Sequence, residues 1–128
     1  MDLEHSEEIF KIKNCPNQNE IGTKKLYRCV LNPINNDSFI PYGFKPKYKD
    51  ICEAWGISTY NNIETAKNQL KSLPKSLLNN YNSIAVATVN DNDGIKYQSG
   101  QNLNHYTYFP EKSIDLTKKF IVISSNDI

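Results

Sequence analysis

Apolar and polar residues alternate with a period of two along most of this chain, and shift to a helical period once. Residues 25–31 (KLYRCVL) place Leu26, Arg28 and Val30 on one face and Tyr27, Cys29 and Leu31 on the other. Both faces are mostly apolar, which predicts a central strand. Residues 55–60 (WGISTY), 83–89 (SIAVATV), 95–98, 105–109 (HYTYF) and 120–124 (FIVIS) read as further strands, and residues 9–12 as a short one. Ile63, Ala66, Leu70 and Leu73 share one helical face, with Asn61 or Asn62 as cap and Glu64 in the first turn. Pro74 ends that helix, and residues 74–78 open a second short turn with proline first. Residues 90–94 (NDNDG) form a turn, whose Asp-Gly suits a hairpin and predicts that 95–98 returns against 83–89.

Between the first two strands lie residues 32–50, with three prolines, one glycine and four aromatics, Phe39, Tyr42, Phe44 and Tyr48. Connections this long are usually functional or disordered, and the aromatics argue for order. The pattern predicts a single β-rich α+β domain over residues 25–128, with five to six strands, one main helix and a long aromatic-rich loop. Residues 1–24 are a polar N-terminal arm, with turns at Cys15-Pro16 and Ile21-Gly22.

Composition removes several function classes. With 38% hydrophobic and 23% charged residues the chain is neither a disordered polyelectrolyte nor a membrane span, and no membrane partner is expected. The acidic N-terminus has no apolar signal region. The three cysteines, an odd number at wide spacing, predict reduced thiols and a cytoplasmic protein. They also offer no paired metal-ligand spacing, so no metal is assigned. A net charge of +1 removes the electrostatic case for nucleic acid. Residues 44–49 (FKPKYK) still interleave lysines with aromatics, which keeps a single-stranded nucleic-acid binder as a second alternative. The plainer reading is that these lysines neutralise Asp50 and Glu53.

The candidate chemistry is sparse. NDNDG fails as a calcium loop, because Val89 and Gly100 stand where acidic ligands belong. Cys52 and His105 do not make a catalytic set by themselves. Arg28, the only arginine, sits in mid-strand and needs a partner or a polar cleft. It either clamps a phosphate or carboxylate, pairs with Glu53, Glu64 or Asp115, or lies on a wet sheet face. Ser58 and Thr59 end a strand just before a helix, where hydroxyls can hold an anion or serve as caps.

Arg28 on a first strand, Ser58-Thr59 on a second and a helix directly after resemble the arginine–serine–glutamate branch of the ADP-ribosyltransferase superfamily. The resemblance spans roughly residues 25–71. It implies that Arg28, Ser58 and Thr59 hold NAD, and that a late-strand glutamate supports ribosyl transfer. That glutamate is missing here: Glu111 follows Pro110, and Tyr60 takes the third position of the serine motif. The runs YRCVLNP, PYGFKP, CEAWGIS and NHYTYFP also resemble stretches of small bacterial proteins to which no activity is attached.

The leading expectation is a non-enzymatic binding or interaction domain for a protein or small-molecule ligand, without a cofactor. An NAD-binding or NAD-consuming enzyme is the alternative. The candidate ligand-binding residues are Arg28, Tyr42, Phe44, Tyr48, Ser58, Thr59 and His105.

Overall fold

The computed structural model describes residues 1–74 and 81–123. Six strands form one antiparallel sheet: β1 (Lys24–Val30), β2 (Ile57–Tyr60), β3 (Ser83–Val89), β4 (Gly94–Gln98), β5 (His105–Pro110) and β6 (Ile121–Ile123), in the order β4-β5-β2-β1-β3-β6. The helices are α1 (Ser6–Phe10), α2 (Ile63–Ser72) and α3 (Leu116–Lys119). This is the expected small α+β domain, with β1 central and α2 its main helix. Among the described residues no helix is long and apolar enough to cross a membrane. The short helix at residues 74–78 lies mostly outside the described residues.

Local signals explain most of the elements. Asn62 caps α2, its Oδ1 accepting from the Thr65 amide at 2.8 Å, and Pro74 follows the last turn. β1 and β3 hold seven registered pairs, from Lys24–Val89 to Val30–Ser83. Two expectations are corrected. Residues 9–12 do not form a strand: Ser6–Phe10 is a helical turn that buries Ile9, because a single apolar face anchors it. Residues 95–98 do not return against β3. They pair with β5, from Gly94–Pro110 to Gln98–Tyr106. The Asn90–Gly94 turn does form, but it joins strands that are not neighbours.

That turn dictates the shape of the sheet. β3 and β4 are separated by β1, β2 and β5 in the strand order. Four interstrand gaps in a flat sheet span about 19 Å. The five steps from Val89 to Gly94 reach only about 17 Å fully extended, and the Asp93 amide also closes back on the Asn90 carbonyl. The sheet must therefore fold over on itself. It does so at β1–β2, where Tyr27–Tyr60 is the only registered pair. The inner face encloses Leu26, Val30, Ile57, Ala87, Tyr108 and Phe120.

The outer face carries a second cluster, in which Trp55, Tyr97 and Phe109 meet Leu3, Ile9 and Cys15 of the N-terminal segment. The β1–β2 connection wraps over the end of the sheet, placing Phe39 against Phe120 on the inner side and Trp55 on the outer. Gly43 lets this loop close, since a Cβ there would lie 2.5 Å from Trp55 Cε2. The cysteine expectation is overturned here. Cys15 and Cys52 form a disulfide with Cα atoms 5.6 Å apart, leaving Cys29 as the free thiol. Spacing along the chain carried no sign of it, because docking of the N-terminal segment on Trp55 is what brings the two together.

Two carboxylates fasten distant segments. Glu20 accepts from the Gln98 amide at 2.7 Å and the Tyr106 hydroxyl at 2.9 Å, and pairs with Lys24. Asp93 accepts from the Asn90 amide and pairs with Lys119 at 2.8 Å. Burial pushes both pKa values up, but the amides, the neighbouring lysines and, for Glu20, the Tyr106 hydroxyl outweigh it and hold both below their ordinary values. A depressed folded-state pKa contributes stability above the unfolded value, and this is lost as pH falls through the folded one. The melting temperature is therefore expected to hold from neutrality down to about pH 4 and to fall below it. Glu20→Gln with Asp93→Asn should flatten that acid slope, and an unchanged slope in the double variant would refute the assignment.

Candidate functional site

The fold line of the sheet opens a cleft of about 240 Å³. Arg28, Cys29, Ser58 and Tyr60 border it from β1 and β2. Gln69 of α2 and Leu73 just after it close one side, and Glu53, Ala54 and Gly56 the other. Ile40, Pro41 and Tyr42 roof it from the long loop, and Tyr81 stands at the entry to β3.

Arg28 leaves the inner face between Leu26 and Val30 and reaches the breach where β1 and β2 part. Its Nε and Nη2 donate to the Ser38 carbonyl at 3.0 and 2.7 Å, and Nη1 donates to the Ser58 carbonyl at 2.7 Å. The guanidinium thus ties the long loop at Ser38, and β2 at Ser58, to β1. None of Glu53, Glu64 and Asp115 pairs with it, and among the described residues no carboxylate lies within ion-pair distance. A guanidinium has five N–H donors, and these bonds use three of them. Burial pushes its pKa down, against the opposing influence of Tyr81 and Tyr42. The same burial raises Tyr60 and Tyr81, and pushes the Cys29 thiol up to about 11. Cys29 is thereby kept a neutral thiol, and its Sγ lies 3.6 Å from the Ala66 carbonyl.

Ser58 and His105 meet on the outer face. His105 Nε2 lies 2.9 Å from Ser58 Oγ, and Nδ1 lies 3.0 Å from both the carbonyl and the hydroxyl oxygen of Ser99. The Tyr60 ring packs edge-on against the imidazole at 5.5 Å.

Of the seven candidate residues, Arg28, Tyr42 and Ser58 line the cleft, and His105 joins it through Ser58. Thr59 is separated from them. It is fully buried on the inner face, and its hydroxyl donates to the Tyr106 carbonyl. Phe44 turns to the far side of the loop, against Trp55 and His5. Tyr48 lies tilted against Tyr42, with ring centroids 6.0 Å apart. Lys45 and Lys47 do not neutralise Asp50 and Glu53; each lies over a tyrosine ring, Tyr42 at 4.9 Å and Tyr48 at 5.3 Å. Cys52 is held in the disulfide, away from any partnership with His105.

Sequence reasoning weighed Tyr60 only as part of the Ser58-Thr59-Tyr60 run and Glu53 only as a partner for Arg28, and it did not assign Tyr60, Glu53 or Tyr81 to the site. Tyr60 could have been found, since it shares a strand face with Ser58. Tyr81 sits in an irregular segment and carried no signal. Among the described residues no cluster of three His, Cys, Asp or Glu is placed to hold a metal ion. Comparison of the chain with protein-family models, with curated proteins and with solved structures returns no match.

Proposed function

We propose that this protein is a small-ligand-binding domain whose ligand carries one anionic group, a phosphate or carboxylate, beside a flat ring. The observation that supports this reading is Arg28. It is a partly buried cation bordering a cleft and, among the described residues, is bonded only to neutral carbonyls, with two of its N–H groups unengaged and three tyrosines around it. Such a charge is stabilised by an anion that accepts from its planar fork. The cleft falls below the usual range for ligand pockets, roughly 300–1,000 Å³. It therefore suits one anionic head and one ring, with Tyr42 and Ile40 of the loop at its rim.

A second reading, NAD binding, is favoured by the meeting of Arg28 and Ser58, two of the three residues that the ADP-ribosyltransferase resemblance implies, with Thr59 turned away into the core. The late-strand position beside them holds His105 where that resemblance implies a glutamate. The Cys15–Cys52 bridge favours an oxidising compartment over the cytoplasm, since disulfides persist there.

Calorimetry with AMP, benzoate, inorganic phosphate and NAD tests both readings. AMP or benzoate should bind more tightly than phosphate alone, and Arg28→Lys should weaken that binding by about tenfold or more, the equivalent of one charge-assisted hydrogen bond. Heat from none of the four, or binding indifferent to Arg28, would count against the proposal. NAD binding stronger than AMP binding would favour the second reading.

A further inference from the structure

We infer that Ser58 is a nucleophile activated by His105, and that the cleft can carry out acyl transfer on a small ester. This goes beyond ligand binding and rests on the hydrogen-bonding pattern of one imidazole. A carbonyl oxygen can only accept, so the 3.0 Å contact of His105 Nδ1 with the Ser99 carbonyl puts the ring proton on Nδ1. Nε2 then carries the lone pair. At 2.9 Å it accepts from the hydroxyl of Ser58, which has no other partner among the described residues. The Ser99 hydroxyl, also 3.0 Å from Nδ1, is left to bond Thr107 Oγ1 at 2.6 Å. With both ring nitrogens engaged and Tyr60 against its edge, the imidazole is held in the tautomer and orientation that a general base needs. A purely structural serine would not require an accessible hydroxyl. Ser58 is only partly buried and borders the cleft that Arg28 also borders.

The step balances without any further reagent. Ser58 Oγ attacks the ester carbonyl carbon as its proton passes to His105 Nε2, and the carbonyl electron pair moves onto oxygen. Arg28, which donates to the Ser58 carbonyl and borders the same cleft, is the cation available to the oxyanion. Collapse expels the alkoxide, which takes the proton back from Nε2 and leaves an acyl-serine. Water, deprotonated by Nε2, then releases the carboxylic acid and restores Ser58.

The test is covalent labelling with a fluorophosphonate, read by intact mass and peptide mapping. A single adduct on Ser58 is expected, absent in Ser58→Ala. Labelling should slow by about a hundredfold in both His105→Ala and His105→Gln, the lower end of general-base contributions. Circular dichroism checks that each variant is folded, and Gln keeps a hydrogen-bonding side chain at the position. No adduct on the folded wild-type protein, an adduct on another residue, or His105→Gln labelling at the wild-type rate would each overturn the assignment. Labelling without ligand heat would sink the anion reading alone, and ligand heat without labelling the nucleophile alone.

Discussion

Replacing Cys15 and Cys52 together by serine is expected to destabilise the protein by about 4 kcal/mol. The bridge closes a loop with a sequence separation of 37. Removing a crosslink of that span returns about 13 cal/mol/K of chain entropy to the unfolded state. For a domain of this size the melting temperature should drop on the order of 10–20 °C. The effect has a definite location. The bridge fastens the N-terminal segment, whose Leu3 and Ile9 are buried against Trp55, Tyr97 and Phe109. It also holds the segment containing Cys52, which continues into Glu53 and Ala54 on the cleft wall. Thermal melting of the double variant, and of wild type with and without a thiol reductant, measures it. A thiol titration of denatured, unreduced protein should find one reactive cysteine of the three. Three reactive thiols, or an unchanged melting temperature, would refute the bridge.

Arg28→Ala is expected to cost stability and ligand binding together. The variant strips three donors from the carbonyls of Ser38 and Ser58. An acceptor left unpaired in a partly buried site costs about 1–3 kcal/mol, and water entering the vacated space offsets part of this, so the net loss should be about 2–4 kcal/mol. The loop suffers first, because Ser38 is otherwise held to the end of β1 mainly through its hydroxyl, which accepts from the Leu31 amide at 3.3 Å. Arg28→Lys keeps the charge but cannot bridge two carbonyls with a planar fork. It should fall between wild type and alanine in urea denaturation and in ligand binding. A stability for Arg28→Ala within error of wild type would mean that the guanidinium does not tie the loop to the seam.

How much of this was legible in the sequence varies by element. The alternation KLYRCVL and the run SIAVATV announced β1 and β3, since a strand buried on both faces needs apolar residues at consecutive positions. Asn62, Pro74 and the apolar stripe announced α2. Arg28 stood out as a cation in an apolar strand, and that it needed polar partners followed from solvation alone. Its partners did not follow. They are main-chain carbonyls, which every residue has, so no side-chain pattern marks them. Thr59 shows the opposite limit. Its neighbour Ser58 faces the cleft, and the two-residue period of a strand then turns Thr59 into the core.

Sequence by itself determined most of the local states, residues 9–12 excepted: where the backbone extends, where it coils, and which residues must find partners. These depend on neighbours within a few positions. Tertiary structure decided which strands meet, that the sheet folds at Tyr27–Tyr60, that Cys15 reaches Cys52, that Arg28 and Ser58 border one cleft, and that His105 reaches it through Ser58. The reason is one of range. The five steps from Val89 to Gly94 cannot cross a flat sheet, so the sheet bends, and the cleft lies where it bends.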